Sequence, residues 1–193
     1  MADRGLSERG AGTRALILDT ALAAFAESGY RGTSVRDIAT RCGLTHPALL
    51  YHFPTKADLL MAVLDRRDDA EGRAAGFDEL RGRALLDELV GTARRNADRR
   101  GVVELYATLS AEATEAGHPA HAYFVERYAR LRGSVGRAYT ELARAGELRP
   151  GIVPETAARQ LVALMDGLQV QWLLDPSIDM ADALAAHVAA QIA

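Results

Sequence analysis

The chain is predicted to be all-α, and three observations carry that expectation. Apolar residues recur at spacings of three and four along most of its 193 residues, which is the period of a helix with one buried face. Runs that alternate apolar and polar residues with β-branched enrichment, the mark of a half-buried strand, are nearly absent. Breaker residues separate the periodic stretches at Gly101, Gly117-His118-Pro119, Gly146, Pro150-Gly151 and Asp175-Pro176, as they do between helices.

The first helix is expected over about Thr13 to Ser28. Ile17, Ala21 and Ala24 form one stripe, with Leu18, Leu22 and Phe25 beside it, and Gly29 ends it as a residue that tolerates a left-handed cap. A short second helix spans Ser34 to Cys42. Gly43 follows, and Thr45 caps a third helix with Pro47 in its first turn. A fourth helix starts after Pro54, with Thr55 and Asp58 placed as a capping box. The stretch Asp68 to Gly76 is charged and carries glycine, and reads as the end of the fourth helix and a connector. It divides the chain into an N-terminal domain, 1–66, and a C-terminal domain, 67–193. Helices over Asp78–Arg99, Val102–Ala116, Ala120–Ala145, Pro154–Leu174 and Ser177–Ile192 would build the second as a helical bundle.

Composition narrows the function classes. Hydrophobic residues make up 49% and charged residues 25%, enough to bury a core in an ordinary globular protein. The single cysteine, Cys42, allows no intrachain disulfide. The first residues are polar and carry both charges, unlike a signal peptide. The longest apolar-looking stretch, Leu161 to Leu174, is broken by Asp166, Gln169 and Gln171, short of the ~20 apolar residues a membrane span needs. These features predict a cytoplasmic protein with no membrane partner. A net charge of −3 argues weakly against nucleic acid. Between Gly29 and Lys56, however, Arg31, Arg36, Arg41 and Lys56 face Asp37 alone, and only a docking face needs to neutralise phosphates.

That cationic segment holds a spacing with geometric meaning. Ala39 is small where two short helices must cross, Gly43 can take positive φ in the turn, and Leu44 and Leu49 point back to a core with Val35 and Ile38. Small residue, glycine and buried aliphatic in this order describe a helix-turn-helix. A plain helical hairpin satisfies the same pattern.

The longer stretch, Tyr30-Arg-Gly-Thr-Ser-Val-Arg-Asp-Ile-Ala followed by Cys42-Gly-Leu-Thr-His-Pro-Ala-Leu-Leu-Tyr-His-Phe-Pro-Thr-Lys-Ala-Asp-Leu-Leu, resembles the tetracycline-repressor (TetR) family of bacterial regulators over about Ala15 to Leu64. Ala157-Ala-Arg-Gln-Leu-Val-Ala-Leu-Met-Asp-Gly-Leu-Gln-Val-Gln-Trp-Leu-Leu-Asp-Pro looks like a C-terminal helix of such proteins. The resemblance implies a ligand-responsive transcriptional regulator, more often a repressor, bound to double-stranded operator DNA and released by a small-molecule inducer. It implies that Arg36 reaches a base or phosphate. Thr45, His46, Pro47 and Ala48 would open the recognition helix. Tyr51 and His52 would touch backbone or base, Lys56 would clamp a phosphate, and Thr33 and Ser34 would donate to phosphates. Leu50 stands where many relatives carry tyrosine and Pro47 where glycine is common, so no operator sequence carries over. Phe53, which shares the inward face with Leu49, is expected to be core.

One helix-turn-helix reads few base pairs, so dimerisation is expected. The last two helices offer Leu161, Leu164, Met165, Leu168 and Trp172, then Leu184, Val188 and Ile192, as an intermolecular bundle; part of each stripe must be ordinary core. An inducer site would be mostly apolar, with Tyr106, Tyr123, Phe124, Met165 and Trp172 as lining and Glu112, His118, His121 or Gln169 as orienting groups. His118 and His121 have a metal-like spacing, but Pro119 breaks the local helix and no further ligand is near, so neither a metal nor a cofactor is expected. Phosphate-cradling glycine loops, nucleophile elbows and HExxH elements are absent, which argues against an enzyme. An all-helical interaction module remains the other class.

Overall fold

A computed structural model describes residues 2–75 and 79–193, with side chains placed over 10–68 and 79–193. Among the described residues it holds the helices α1 (Ala2–Gly32), α2 (Val35–Arg41), α3 (His46–His52), α4 (Lys56–Ala75), α5 (Gly82–Asn96), α6 (Arg100–Glu112), α7 (His121–Ala145), α8 (Pro154–Leu174) and α9 (Met180–Ala189). No strand is found among those residues; a single antiparallel bridge joins Leu148 and Ile192. No helix is long and apolar enough to cross a membrane among the described residues. The all-helical expectation therefore holds. Two boundaries differ most: α1 begins near Ala2 rather than Thr13, and α4 continues to Ala75, through the stretch expected to be its end and a connector.

Contacts group the chain into two units that do not follow its order. One combines Met1–Asp69 with Glu104–His121; the other combines Ala70–Val103 with Ala122–Ala193. In the first, Ile17, Ala21, Phe25, Ile38, Leu49 and Leu60 are sealed from solvent. They sit on the faces that the three- and four-residue spacing marks. Arg66 pins α4 to α1 through the Ala15 carbonyl (3.0 Å) and Asp19 (2.8 Å), an exposed pair that adds little stability.

The second unit buries Leu86, Leu89, Tyr139, Leu161 and Leu184 in one cluster, with α9 packed on α5 and α8. The Tyr139 hydroxyl bonds the Gln191 side chain, and burial pushes its pKa up to about 12. The Arg149 amide donates to the Gln191 carbonyl (2.9 Å) and the Ala193 amide to the Glu147 carbonyl (2.8 Å), tying the last residues to the turn after α7.

This core takes up most of the apolar stripe offered for a dimer, with Leu164 and Met165 half-buried. Leu161, Leu168, Trp172, Leu184, Val188 and Ile192 are buried within the one chain. The apolar surface left outside lies elsewhere on α8, at Val170 and at Leu174, which is 83% exposed, with Ala163 also exposed.

Candidate nucleic-acid interface

Three local devices build the helix-turn-helix. The Ser34 hydroxyl accepts the Arg36 amide (3.1 Å) and starts α2. At its end, Gly43 takes φ 67°, the Gly43 amide bonds the Thr40 carbonyl (3.0 Å) and the Leu44 amide bonds the Ala39 carbonyl (2.9 Å). This paired closure satisfies two terminal carbonyls and needs a left-handed residue between the helices. A Cβ on Gly43 would meet nothing within 4 Å, so the constraint there is backbone conformation alone. The Thr45 hydroxyl then accepts the Ala48 amide (3.3 Å) and starts α3, and the Thr55–Asp58 box opens α4: the Thr55 amide donates to the Asp58 carboxylate and the Asp58 amide to the Thr55 hydroxyl, both at 3.0 Å.

These devices give α3 an inner and an outer face. Leu49 is fully buried and Phe53 nearly so, with the Arg14 guanidinium 4.5 Å from the Phe53 ring centroid. Tyr51 is 86% exposed, edge-on to His52 at 5.5 Å. Pro47 is exposed, and His46, Ala48 and His52 are half-buried. Arg36 points to solvent with no side-chain partner among the described residues, whereas Arg41 is paired with Glu27 (2.8 Å). The face therefore offers an aromatic ring, a free guanidinium and a helix N-terminus close together along the chain, a set suited to base edges and phosphates.

Thr33 has a different role from the phosphate donor expected of it. It is only 6% exposed, and its hydroxyl lies 2.7 Å from the Gly29 carbonyl and 2.9 Å from that of Ala24. Its one proton is shared between these two carbonyls of α1. A Thr33→Val variant should lose about 1 kcal/mol of stability while keeping the salt dependence of DNA binding unchanged. Chemical denaturation and a salt titration measure the two, and a shallower slope would restore the phosphate role.

Lys56 begins α4 with its ammonium 4.4 Å from the centroid of the Tyr30 ring. Burial lowers its pKa, and the charge of Glu112 opposes that shift. Sequence reading missed the group behind it. The Tyr30 amide donates to Glu112 Oε2 (2.8 Å), Arg31 pairs with Glu115, and His118 Nε2 lies 3.6 Å from Glu112. His118 Nδ1 accepts the Ala120 amide (3.2 Å), so Nε2 carries the proton of the neutral ring. Burial holds its pKa below the usual histidine value more than Glu112 raises it.

Several expected inducer-binding groups are thus occupied by their own unit. Glu112 holds α1. His121 Nδ1 lies 2.8 Å from the Ala113 carbonyl. The Tyr106 hydroxyl donates to Asp68 (3.0 Å), with the Arg67 guanidinium 5.8 Å from the Tyr106 ring centroid. In the second unit, Trp172 is core, with the Arg100 guanidinium 5.7 Å from its ring centroid. Met165 and Gln169 line a narrow cleft with Leu168, Met180 and Asn96. Tyr123 and Phe124 pack edge to face at 5.1 Å, and Phe124 lies 6.3 Å from Tyr128. Tyr128 in turn hydrogen-bonds Asp166, a carboxyl raised by burial against the pull of that bond and of Arg127. Asp166 breaks the apolar run of α8, and that interruption was the signal for it in the sequence. Among the described residues no three His, Cys, Asp or Glu side chains gather as a metal site.

Known proteins align with this arrangement. The family model for bacterial regulatory proteins of the tetR family matches residues 17–63, and that for the BetI-type transcriptional repressor C-terminal domain matches residues 79–193. The HTH-type transcriptional repressor KstR2 of Rhodococcus jostii is 32% identical over 124 residues, 62% of this chain but only 52% of that protein's length. The HTH-type transcriptional regulator TtgR of Pseudomonas putida is 28% identical over 189 residues, covering 92% of this chain and 88% of its own. A transcriptional regulator from Saccharomonospora viridis, solved in complex with choline, shares the fold with a TM-score of 0.80 at 23% identity, over 94% of this chain and 98% of that one.

Proposed function

The chain belongs to the tetracycline-repressor family of bacterial transcriptional regulators, and on that premise we propose that it is a repressor that binds a palindromic operator as a homodimer and is released by a small-molecule inducer. The observation that carries the reading is the two-faced α3: Leu49 is sealed inside while Tyr51 and Pro47 stand outside, and Arg36 on α2 is exposed with no side-chain partner among the described residues. Double-stranded DNA is the partner that such a face fits, since a helix can enter the major groove and arginine can pair with guanine there.

The test is a titration of operator DNA from upstream of the chain's own gene, run at several salt concentrations. Arg36→Ala should weaken operator binding by about 1–3 kcal/mol and reduce discrimination against unrelated DNA, whereas Lys56→Ala should weaken binding to all sequences and lower the salt slope by about one. Equal losses on all DNA for Arg36→Ala would make it a phosphate contact. Binding without sequence preference in the wild type would favour an interaction module instead.

Dimerisation is assigned to the outward face of α8. Ala163, Val170 and Leu174 remain exposed there once the inner stripe is used as core, and a two-fold pair would set two reading helices about 34 Å apart. The inducer is assigned to the second unit, where Tyr123, Phe124, Tyr128 and Asp166 combine aromatic surface with one half-buried acid. The choline held by the Saccharomonospora viridis regulator supports a small-molecule site in this class of bundle. Release requires the inducer to bind the non-operator state more tightly, since an effector shifts an equilibrium only by its differential affinity. The lever for that shift is assigned to Asp65–Arg73 near the end of α4, a stretch that lies partly outside the described side chains. No chemical step is part of this reading, nor any cofactor.

A further inference from the structure

We propose that Glu112 is a positioning residue for operator binding, acting through Tyr30 to present the ammonium of Lys56 to a phosphate. The proposal rests on the DNA-binding reading above and adds a residue that lies on α6, remote in sequence from the helix-turn-helix.

The geometry runs in three contacts inside the first unit. Glu112 Oε2 accepts the Tyr30 amide at 2.8 Å. This amide follows Gly29, whose φ of 68° and ψ of 177° break the helical path, so the carboxylate holds the chain at the point where it turns. The Tyr30 ring, aimed by that turn, supports the Lys56 ammonium at 4.4 Å, a distance at which a cation is attracted to the face of an aromatic ring. Lys56 is the first residue of α4, where helix amides also face outward and favour an anion.

The surroundings keep the carboxylate in place. His118 Nε2 approaches it at 3.6 Å, and Arg31, next to Tyr30, pairs with Glu115. Gly29 must lack a side chain, because a Cβ there would overlap Glu112 Oε1 and sit 3.1 Å from Glu112 Cδ. A close approach and a charged hydrogen bond meet at this carboxylate, and the residue whose amide it holds carries the ring under the cation. A residue needed only for packing would require none of these.

The experiment is a double-mutant cycle on operator affinity in the full chain, with the operator fragment as probe. Glu112→Ala should weaken binding about ten-fold in the wild-type background, the size of coupling seen between residues of one network. In a Lys56→Ala background the same change should cost less than about two-fold. Glu112→Gln keeps an acceptor for the Tyr30 amide and should bind within about three-fold of wild type, which guards against a misfolded alanine variant. Equal losses in both backgrounds would overturn the proposal and leave Glu112 a purely structural group. So would Glu112→Gln losing as much as Glu112→Ala, since the effect would then be charge and not position. A wild-type chain that binds no operator would sink the DNA-binding reading itself, an outcome distinct from either.

Discussion

A Gly29→Ala variant is expected to lose about 3 kcal/mol or more of stability in the unit that carries α1 to α4. Two causes add. The backbone at φ 68°, ψ 177° lies in a region that is essentially glycine-only and costs other residues about 1–3 kcal/mol. The new Cβ would also displace the Glu112 carboxylate, breaking its bond to the Tyr30 amide; hydrogen bonds to charged groups contribute about 1.5–3 kcal/mol each. Set against a total of about 5–15 kcal/mol for a typical domain, such a loss leaves a substantial fraction unfolded on mild heating. Urea denaturation followed by a probe in the first unit measures it. A loss under about 1 kcal/mol would show that the turn relaxes, and that Gly29 is a convenience of the helix end and not a requirement.

Much of this unit was legible because its signals are local. Gly43, Thr45 and the Thr55–Asp58 pair each act within five residues of themselves, so spacing alone finds these turns and caps. Ile38, Leu49 and Phe53 follow the helical period to the core. Arg36 is exposed as its phase on α2 requires.

What was hidden depends on partners far apart in the chain. Glu112 reads as a polar residue near aromatics and suits an inducer site, yet its partner is an amide 82 residues away. The grouping of Glu104–His121 with the N-terminal residues has no composition shift to announce it. Thr33 looks like any loop threonine until the Ala24 and Gly29 carbonyls are placed above it. The division of the apolar stripe on α8 was hidden for a different reason. α8 is apolar on more than one face, and periodicity cannot say which face meets its own chain; Leu161 and Trp172 went inward, and Val170 and Leu174 were left outside.

The sharpest contrast lies within three residues of α3. Leu49→Ala should cost about 2–5 kcal/mol of stability, as truncation of a fully buried leucine does when its neighbours cannot close the cavity, and Leu49 is 0% exposed. Tyr51→Ala removes a larger side chain but one already in water, so stability should change by less than about 0.5 kcal/mol. Operator binding should respond in the opposite order. At a temperature where both variants stay folded, Tyr51→Ala should weaken operator binding by about 1–3 kcal/mol, the worth of a direct base or backbone contact. Leu49→Ala should then bind nearly as wild type, with its deficit appearing only as the unit melts. Calorimetric or denaturant unfolding gives one axis and operator titration at fixed salt the other. If Tyr51→Ala binds operator like wild type, the outer face of α3 does not enter a groove. The exposed ring would then need another partner, because a tyrosine at that position contributes almost nothing to the fold that displays it.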